Sequence, residues 1–298
     1  MKKIKSSTST DIKKLLIAWI AGVVILVPTR IYQMFSIIEH EQGFYTETDF
    51  SVWVMYIVIA VLAVVFIAGS YLLLKDNVKS DNFFGNKLLG GSAILVAMSM
   101  IANVLTKGSD FVEIYKDFDS QFGVTTMNLG EYLMKSGALS NLGEAVFGLT
   151  TAIFFAIFGA GCLVEKINAS KFKILAVTPV IWAIFRMLTK LIRTISYIKV
   201  SDLFYEIIML LFMMLFFMAF AQVTSKINEK GIEWKVYGYG FIAALMALIC
   251  FVPRIVYTLG GGELSADAGI NPWDFCLAIF IVIYLVSNSK SKKSVIEE

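Results

Sequence analysis

The sequence carries little charge, and this shortage separates it from ordinary soluble proteins. Charged residues make up 16% of the chain, whereas soluble domains contain about 25%. Hydrophobic residues make up 58%, in blocks of about 20 residues separated by short polar loops. A helix of about 20 apolar residues crosses the hydrocarbon core of a bilayer. The pattern predicts a polytopic membrane protein, and a net charge of only +3 gives no support to nucleic-acid binding.

Histidine and cysteine are too scarce for several classes of active site. The only histidine, His40, lies in a predicted outer loop and therefore cannot act as a base for Ser92 in an intramembrane serine protease. The chain contains no HExxH and no Walker motif. The three cysteines lie in apolar blocks without the spacing of a metal site: Cys162, Cys250 and Cys276. We therefore predict no catalytic residue, no metal and no cofactor.

Eight apolar blocks predict an all-α integral membrane protein, an eight-helix transmembrane bundle built from helical hairpins. The blocks cover roughly residues 15–38, 51–74, 88–106, 144–164, 173–198, 202–224, 236–258 and 273–288. The basic N-terminal segment precedes an apolar run too long for a signal-peptide core, which predicts an uncleaved first span. The predicted domains are an N-terminal tail (1–14), one transmembrane domain (15–288) and a C-terminal tail (289–298).

Loop charges predict that both termini are cytoplasmic. The two tails and the loops near 75–87, 165–173 and 226–235 hold 17 of the 26 lysines and arginines, whereas the alternate loops hold four. Cytoplasmic loops are enriched in these residues, and eight spans agree with termini on one side. The compact loops and the lysine-rich, isoleucine-rich composition favour a bacterial inner or plasma membrane.

The sequence also predicts an internal repeat of four helical hairpins, in pseudo-repeat halves of about 15–164 and 173–288. At one constant offset, matching pairs recur in the first and last hairpins: Val27-Pro28 with Val252-Pro253, Tyr32 with Tyr257, and Asp49-Phe50 with Asp274-Phe275. Three of the four hairpins each have a cation late in the first helix and an acid early in the second. The second hairpin departs from this plan, because Asn103 occupies the cation position and Glu144 follows only after a long loop.

Five cations fall within the predicted helices. They are Arg30, Arg186, Lys190, Arg193 and Arg254. Each costs about 2.5–3.5 kcal/mol at the centre of a membrane helix, or on the order of 12–18 kcal/mol together. This cost predicts partners, and the acids at a similar depth are Asp49, Glu144, Glu206 and Asp274. Spacings of four and three residues place Arg186, Lys190 and Arg193 on one helical face.

Three functions are compatible with these charges. In the first, the cations line an outward-facing cavity of a transporter or permease that binds an anionic solute or lipid headgroup. In the second, the protein is a non-catalytic subunit or accessory protein with structural Arg–acid pairs. The third is an intramembrane enzyme for lipid headgroups, with Glu206 or Asp274 as acid/base. The predicted partners are membrane lipids, a small anionic ligand and other membrane subunits.

The longest predicted outer loop, residues 107–143, holds two segments that are expected to form short amphipathic helices. They form either a surface cap or a lid over an outward cavity.

Three prolines, Pro28, Pro179 and Pro253, fall within predicted spans, where each removes a backbone hydrogen bond. Such breaks line substrate sites in transporters or only kink a helix.

Overall fold

A computed structural model describes residues 8–38, 45–46, 49–75, 86–120, 128–164, 173–193, 200–225, 231–264 and 269–294. Nine α-helices lie in these ranges. They are α1 (Thr8–Ser36), α2 (Phe50–Leu74), α3 (Lys87–Ser120), α4 (Leu129–Lys135), α5 (Ala138–Val164), α6 (Thr178–Arg193), α7 (Val200–Thr224), α8 (Ile232–Leu259) and α9 (Pro272–Ser294). A 3₁₀ turn, Leu175–Val177, precedes α6. Side chains are not described at positions 8–11, 119, 193, 200–201 and 288–294. The predicted all-helical class is confirmed for the described residues.

Seven helices are long and apolar enough to cross a membrane, α6 being counted together with the 3₁₀ turn before it: α1, α2, α3, α5, α6, α7 and α8. The apolar part of α9, Pro272–Ser287, is shorter. The chain therefore has the architecture of a multi-pass membrane protein. Large apolar side chains cover the outside of the bundle, and on α2 the side chains of Trp53, Val64 and Leu72 are 59%, 64% and 70% exposed. Such a surface suits lipid rather than water.

Six helices contact one another in a closed ring, in the order α3, α5, α6, α7, α8 and α9, with α9 returning to α3. Helices α1 and α2 pack against the outside of this ring, on α8. Helix α8 thus touches α1, α2, α7 and α9, and most of its side chains are buried. In this arrangement α6 and α9 lie on opposite sides of the ring.

Aromatic side chains fill one half of the ring. Phe155 of α5 and Phe220 of α7 both contact Phe280 of α9, with ring centroids 5.0 Å and 5.6 Å apart. Phe158 lies 5.3 Å from Phe220. All four rings are buried, and we call them the Phe layer. At 1.5 Å per residue, the Phe layer lies about 9 Å from Asp274 along α9. Along α7 it lies about 21 Å from Glu206.

Small residues bring α3 and α5 together. A Cβ atom added at Gly159 would lie 2.9 Å from the carbonyl oxygen of Gly90 and 2.9 Å from Cγ1 of Ile94. Ordinary contacts of a Cβ atom are longer than this, so the two helices approach more closely than a larger residue would permit.

The region predicted as the outer loop 107–143 contains more helix than expected. Helix α3 continues to Ser120, so its first segment extends a span rather than forming a separate helix, and α5 begins at Ala138. Among the described residues of this region, only α4 is a short separate helix. Pro28 and Pro253 lie inside α1 and α8. Pro179 is the second residue of α6, in the first turn, where its missing N–H has no helical partner to lose.

Candidate functional site

A chain of alternating charges connects four helices in the half of the bundle away from the Phe layer. Arg30 of α1 contacts Oδ1 of Asp202 on α7, whose Oδ2 lies 3.6 Å from Nη2 of Arg254 on α8. Nη1 of Arg254 lies 2.5 Å from Oε1 of Glu206, one turn beyond Asp202. Oε2 of Glu206 lies 2.8 Å from Nζ of Lys190 on α6. Each carboxylate is thus shared by two cations, and we call these five residues the charge chain.

Polar and aromatic groups fix the guanidinium of Arg30. Its Nη1 donates to Oε1 of Gln33 and to the hydroxyl of Tyr45, both at 3.0 Å. The ring centroid of Tyr205 lies 4.6 Å from the guanidinium carbon, within the range of a cation–π contact. Because Arg30 is only 2% exposed, these contacts replace the water that the buried charge has lost.

A second ion pair crosses the ring from α6 to α9. Arg186 binds the carboxylate of Asp274 in a bidentate manner, with Nη2 2.6 Å from Oδ2 and Nη1 in contact with Oδ1. The guanidinium carbon lies 5.3 Å from the ring of Trp182 and 5.8 Å from that of Trp273. Both indoles are buried. These apolar surroundings strengthen the attraction and increase the cost of removing either partner.

Glu144 of α5 has a neutral partner instead of a cation. Its Oε1 accepts a hydrogen bond of 3.0 Å from Nδ2 of Asn103 on α3, whose Oδ1 accepts one of 3.1 Å from Nε1 of Trp182. Glu144 is fully buried, and its Oε2 has no hydrogen-bond partner in the described part of the chain. Arg186 interacts with this carboxylate only at longer range.

Burial divides these charged residues into an interior and an edge. In the charge chain and the Arg186–Asp274 pair, five charged side chains are no more than 5% exposed. They are Arg30, Arg186, Glu206, Arg254 and Asp274. Asp202 and Lys190 are 22% and 23% exposed, so they form the edge. With Glu144 included, the described side chains of this layer supply four cations and four carboxylates. We call these eight residues the charge layer; it is neutral when every acid is ionised.

The structure places most of the predicted site residues in the charge layer. Asp49 precedes α2, and among the described residues its side chain neither caps that helix nor contacts a cation. Arg193 ends α6, and its side chain lies outside the described part. The prediction omitted Asp202 from the partners of the arginines. Its spacing of four residues from Glu206 places the two on one helical face, and that signal was present in the sequence.

The described residues include no group of three or more His, Cys, Asp or Glu side chains that could hold a metal ion. The layer instead offers guanidinium and ammonium groups, which bind carboxylates and phosphates. Comparison of the chain with protein-family models, with curated proteins and with solved structures gave no match.

Proposed function

We propose that the chain is a permease-like membrane protein in which the charge layer binds a small oxyanion, a carboxylate or a phosphate. The proposal includes eight spans with both termini in the cytoplasm and hairpins related by an internal repeat. The short apolar part of α9 forms the eighth span, since eight spans and the basic tails agree with termini on one side.

The observation that carries the proposal is the position of Asp202. Its carboxylate lies between the guanidinium groups of Arg30 and Arg254 and is the most exposed acid of the charge chain. A carboxylate or phosphate group of a ligand can present equivalent oxygen atoms to the same two guanidinium groups. The contact of Asp202 with Arg254, at 3.6 Å, is also the longest in the charge chain. A ligand oxyanion thus has a place to bind by displacing an internal carboxylate.

The cost of burying charge supports a functional role. Well-packed apolar residues often match or exceed the stability that buried ion pairs provide. A bundle that needed only stability has little reason to place eight ionisable side chains in one layer. Ionisable residues within membrane spans commonly mark the path of a substrate or an ion.

A second candidate, a non-catalytic subunit or accessory protein, has one observation in its favour. Each cation of the charge layer already contacts a carboxylate. In that case the ion pairs fix α1, α6, α7, α8 and α9 in place, and no ligand is needed.

Ligand-induced stabilisation separates the two candidates. The full chain is purified in detergent, and its thermal unfolding is followed with acetate, inorganic phosphate or methanesulfonate. We expect a rise in Tm, because a ligand present at 100 times its Kd stabilises the folded state by about 2.7 kcal/mol. Nanodiscs of phosphatidylglycerol, compared with phosphatidylcholine, test whether the oxyanion is a lipid headgroup.

Three variants locate the site. Arg254→Gln should abolish the rise in Tm because it removes a guanidinium group that binds the ligand. Asp202→Asn should increase anion affinity because it removes the charge of the competing carboxylate. Lys135→Gln, whose side chain is 60% exposed and pairs with Glu131 at 2.8 Å, should behave like the wild type. Uptake of labelled acetate or phosphate into proteoliposomes then tests transport. No stabilisation by any of these anions, soluble or lipid, and no uptake would favour the structural candidate.

A further inference from the structure

Glu144 differs from the other buried acids of the layer in its partner. Glu206 and Asp274 contact arginines, whereas Glu144 is bound by the neutral amide of Asn103. In the repeat that we propose, Asn103 stands where the other hairpins carry a cation. The second hairpin thus keeps the acid but lacks its charge partner.

The charged groups around Glu144 do not supply that partner. Helices α3, α4 and α6 pack against α5. Four of their described cations in this half of the bundle contact other carboxylates: Lys107 with Asp110, Lys135 with Glu131, Arg186 with Asp274 and Lys190 with Glu206. A fifth, Lys116, is exposed and lies about 20 Å beyond Asn103 along α3. The 3₁₀ turn Leu175–Val177 carries no charge. An ionised Glu144 therefore has no cation in contact among the described residues, and Arg186 attracts it only at longer range.

A neighbouring amide marks the same place. Asn141 lies three residues before Glu144 on α5, so both side chains share one helical face. Asn141 is fully buried, and neither its Oδ1 nor its Nδ2 has a hydrogen-bond partner in the described part of the chain. Buried polar groups are nearly always hydrogen-bonded. These unpaired polar atoms, which include Oε2 of Glu144, are suited to a partner that binds reversibly.

We propose that Glu144 is a proton-binding site that couples anion binding to proton uptake, an inference that rests on the proposed function. Hydronium supplies the proton: its O–H bond breaks to leave water as a new O–H bond forms on the carboxylate. With Glu144 ionised, four carboxylates balance four cations in the charge layer. With Glu144 protonated, the layer carries one excess positive charge and attracts one monovalent anion. Proton and anion therefore bind together without net charge.

The experiment measures the affinity of the purified full chain for methanesulfonate as a function of pH. This probe remains singly charged throughout, so any pH dependence belongs to the protein. Uptake of one proton per anion predicts that affinity falls about tenfold per pH unit in the range where Glu144 of the free protein is ionised. Proton uptake on mixing with the anion, in weakly buffered solution, should approach one proton per bound anion in that range.

Glu144→Gln tests the assignment because glutamine resembles the protonated acid. We expect its affinity to be independent of pH and to equal that of the wild type at low pH. Glu131→Gln, on the exposed surface of α4, is the matched control and should keep the pH dependence of the wild type.

The outcomes separate this inference from the proposed function. Anion binding by the wild type without proton uptake overturns the coupling and leaves anion binding established. A pH dependence that survives in Glu144→Gln assigns the proton to another group and overturns the role of Glu144. Absence of anion binding at every pH overturns both. Proton uptake by the wild type needs no variant, so the coupling is tested even if Glu144→Gln does not fold.

Discussion

At the scale of single residues, the charge layer combines two kinds of ion pair. The carboxylates of Asp202 and Glu206 are each shared between two cations, so a shift of one side chain affects its neighbours. The pair between Arg186 and Asp274 is instead bidentate and enclosed by two indoles. This pair offers the cleanest measure of what a buried charge contributes to stability.

Removal of one partner should cost more than removal of both. We expect Arg186→Ala and Asp274→Ala each to lower the free energy of unfolding by about 3–5 kcal/mol, because each leaves an unpaired buried charge. The double variant should lose less than the sum of the two. Reversible unfolding in detergent measures all three.

The surface pair Lys135–Glu131 is the control for this cycle, and its removal should change the unfolding free energy by about 1 kcal/mol or less. If the losses in unfolding free energy of Arg186→Ala and Asp274→Ala were strictly additive, the two side chains would act independently. That result would contradict the contact in the structure.

The sequence located the cations of the layer better than their partners. An arginine within an apolar block is conspicuous, and helical rise placed Arg30, Arg186 and Arg254 at similar depth. Which acid meets which arginine depends on which helices are neighbours, and helical periodicity does not contain that information. Asp202, the acid shared by two arginines, was missed as a partner although its spacing of four residues from Glu206 placed both acids on one helical face.

At the scale of helices, α3 and α5 approach each other closely. The backbones of Gly90 and Gly159 face each other at this crossing. Small residues drive helix association in membranes because they permit close van der Waals contact. The same two helices carry Asn103 and Glu144, whose hydrogen bond lies about 20 Å farther along the pair.

A methyl group at the crossing should separate the two helices. We expect Gly159→Ala to destabilise the protein by about 1–3 kcal/mol, as overpacking does elsewhere, because the added Cβ would lie 2.9 Å from the carbonyl oxygen of Gly90. Thermal unfolding in detergent provides the measurement.

Gly91→Ala is the matched control, since a Cβ at that position meets no atom within 4 Å and alanine favours a helix. It should leave stability unchanged or higher. Equal stabilities for Gly159→Ala and Gly91→Ala would mean that α3 and α5 do not approach as closely as the structure has them.

Helix existence followed from composition, but the length of α3 did not. Polar residues after Asn103 indicated a loop, yet α3 continues through them to Ser120. Helical backbone satisfies its own hydrogen bonds wherever it lies, so a helix need not end where the apolar block ends. The 34 residues of α3 extend about 51 Å, well beyond a hydrocarbon core of about 30 Å.

At the scale of the whole molecule, the topology rests on loop charges. The polar and charged side chains of the layer lie toward one end of the ring and the Phe layer toward the other. In the orientation that we propose from the positive-inside rule, the charge layer lies in the outer half of the membrane. The order of helices around the ring had no signal in the sequence, because apolar surfaces of similar helices are interchangeable until they pack.

Cysteine labelling tests this orientation in intact cells. In a Cys162→Ser, Cys250→Ser, Cys276→Ser background, His40→Cys should react with a membrane-impermeant maleimide, whereas Glu297→Cys should react only after the cells are permeabilised. Labelling of Glu297→Cys in intact cells would place an even number of spans between the two positions or reverse the orientation.

The Phe layer has an electrical consequence. Uncharged aromatic side chains form a region of low dielectric constant, so a membrane voltage falls mainly across this half of the ring. Moving one elementary charge through about 100 mV corresponds to about 2.3 kcal/mol. An anion crossing alone experiences that field, whereas an anion accompanied by the proton of Glu144 does not. Transport of a monovalent anion by the proposed coupling is therefore electroneutral: it depends on the gradients of pH and of the anion and is independent of the voltage.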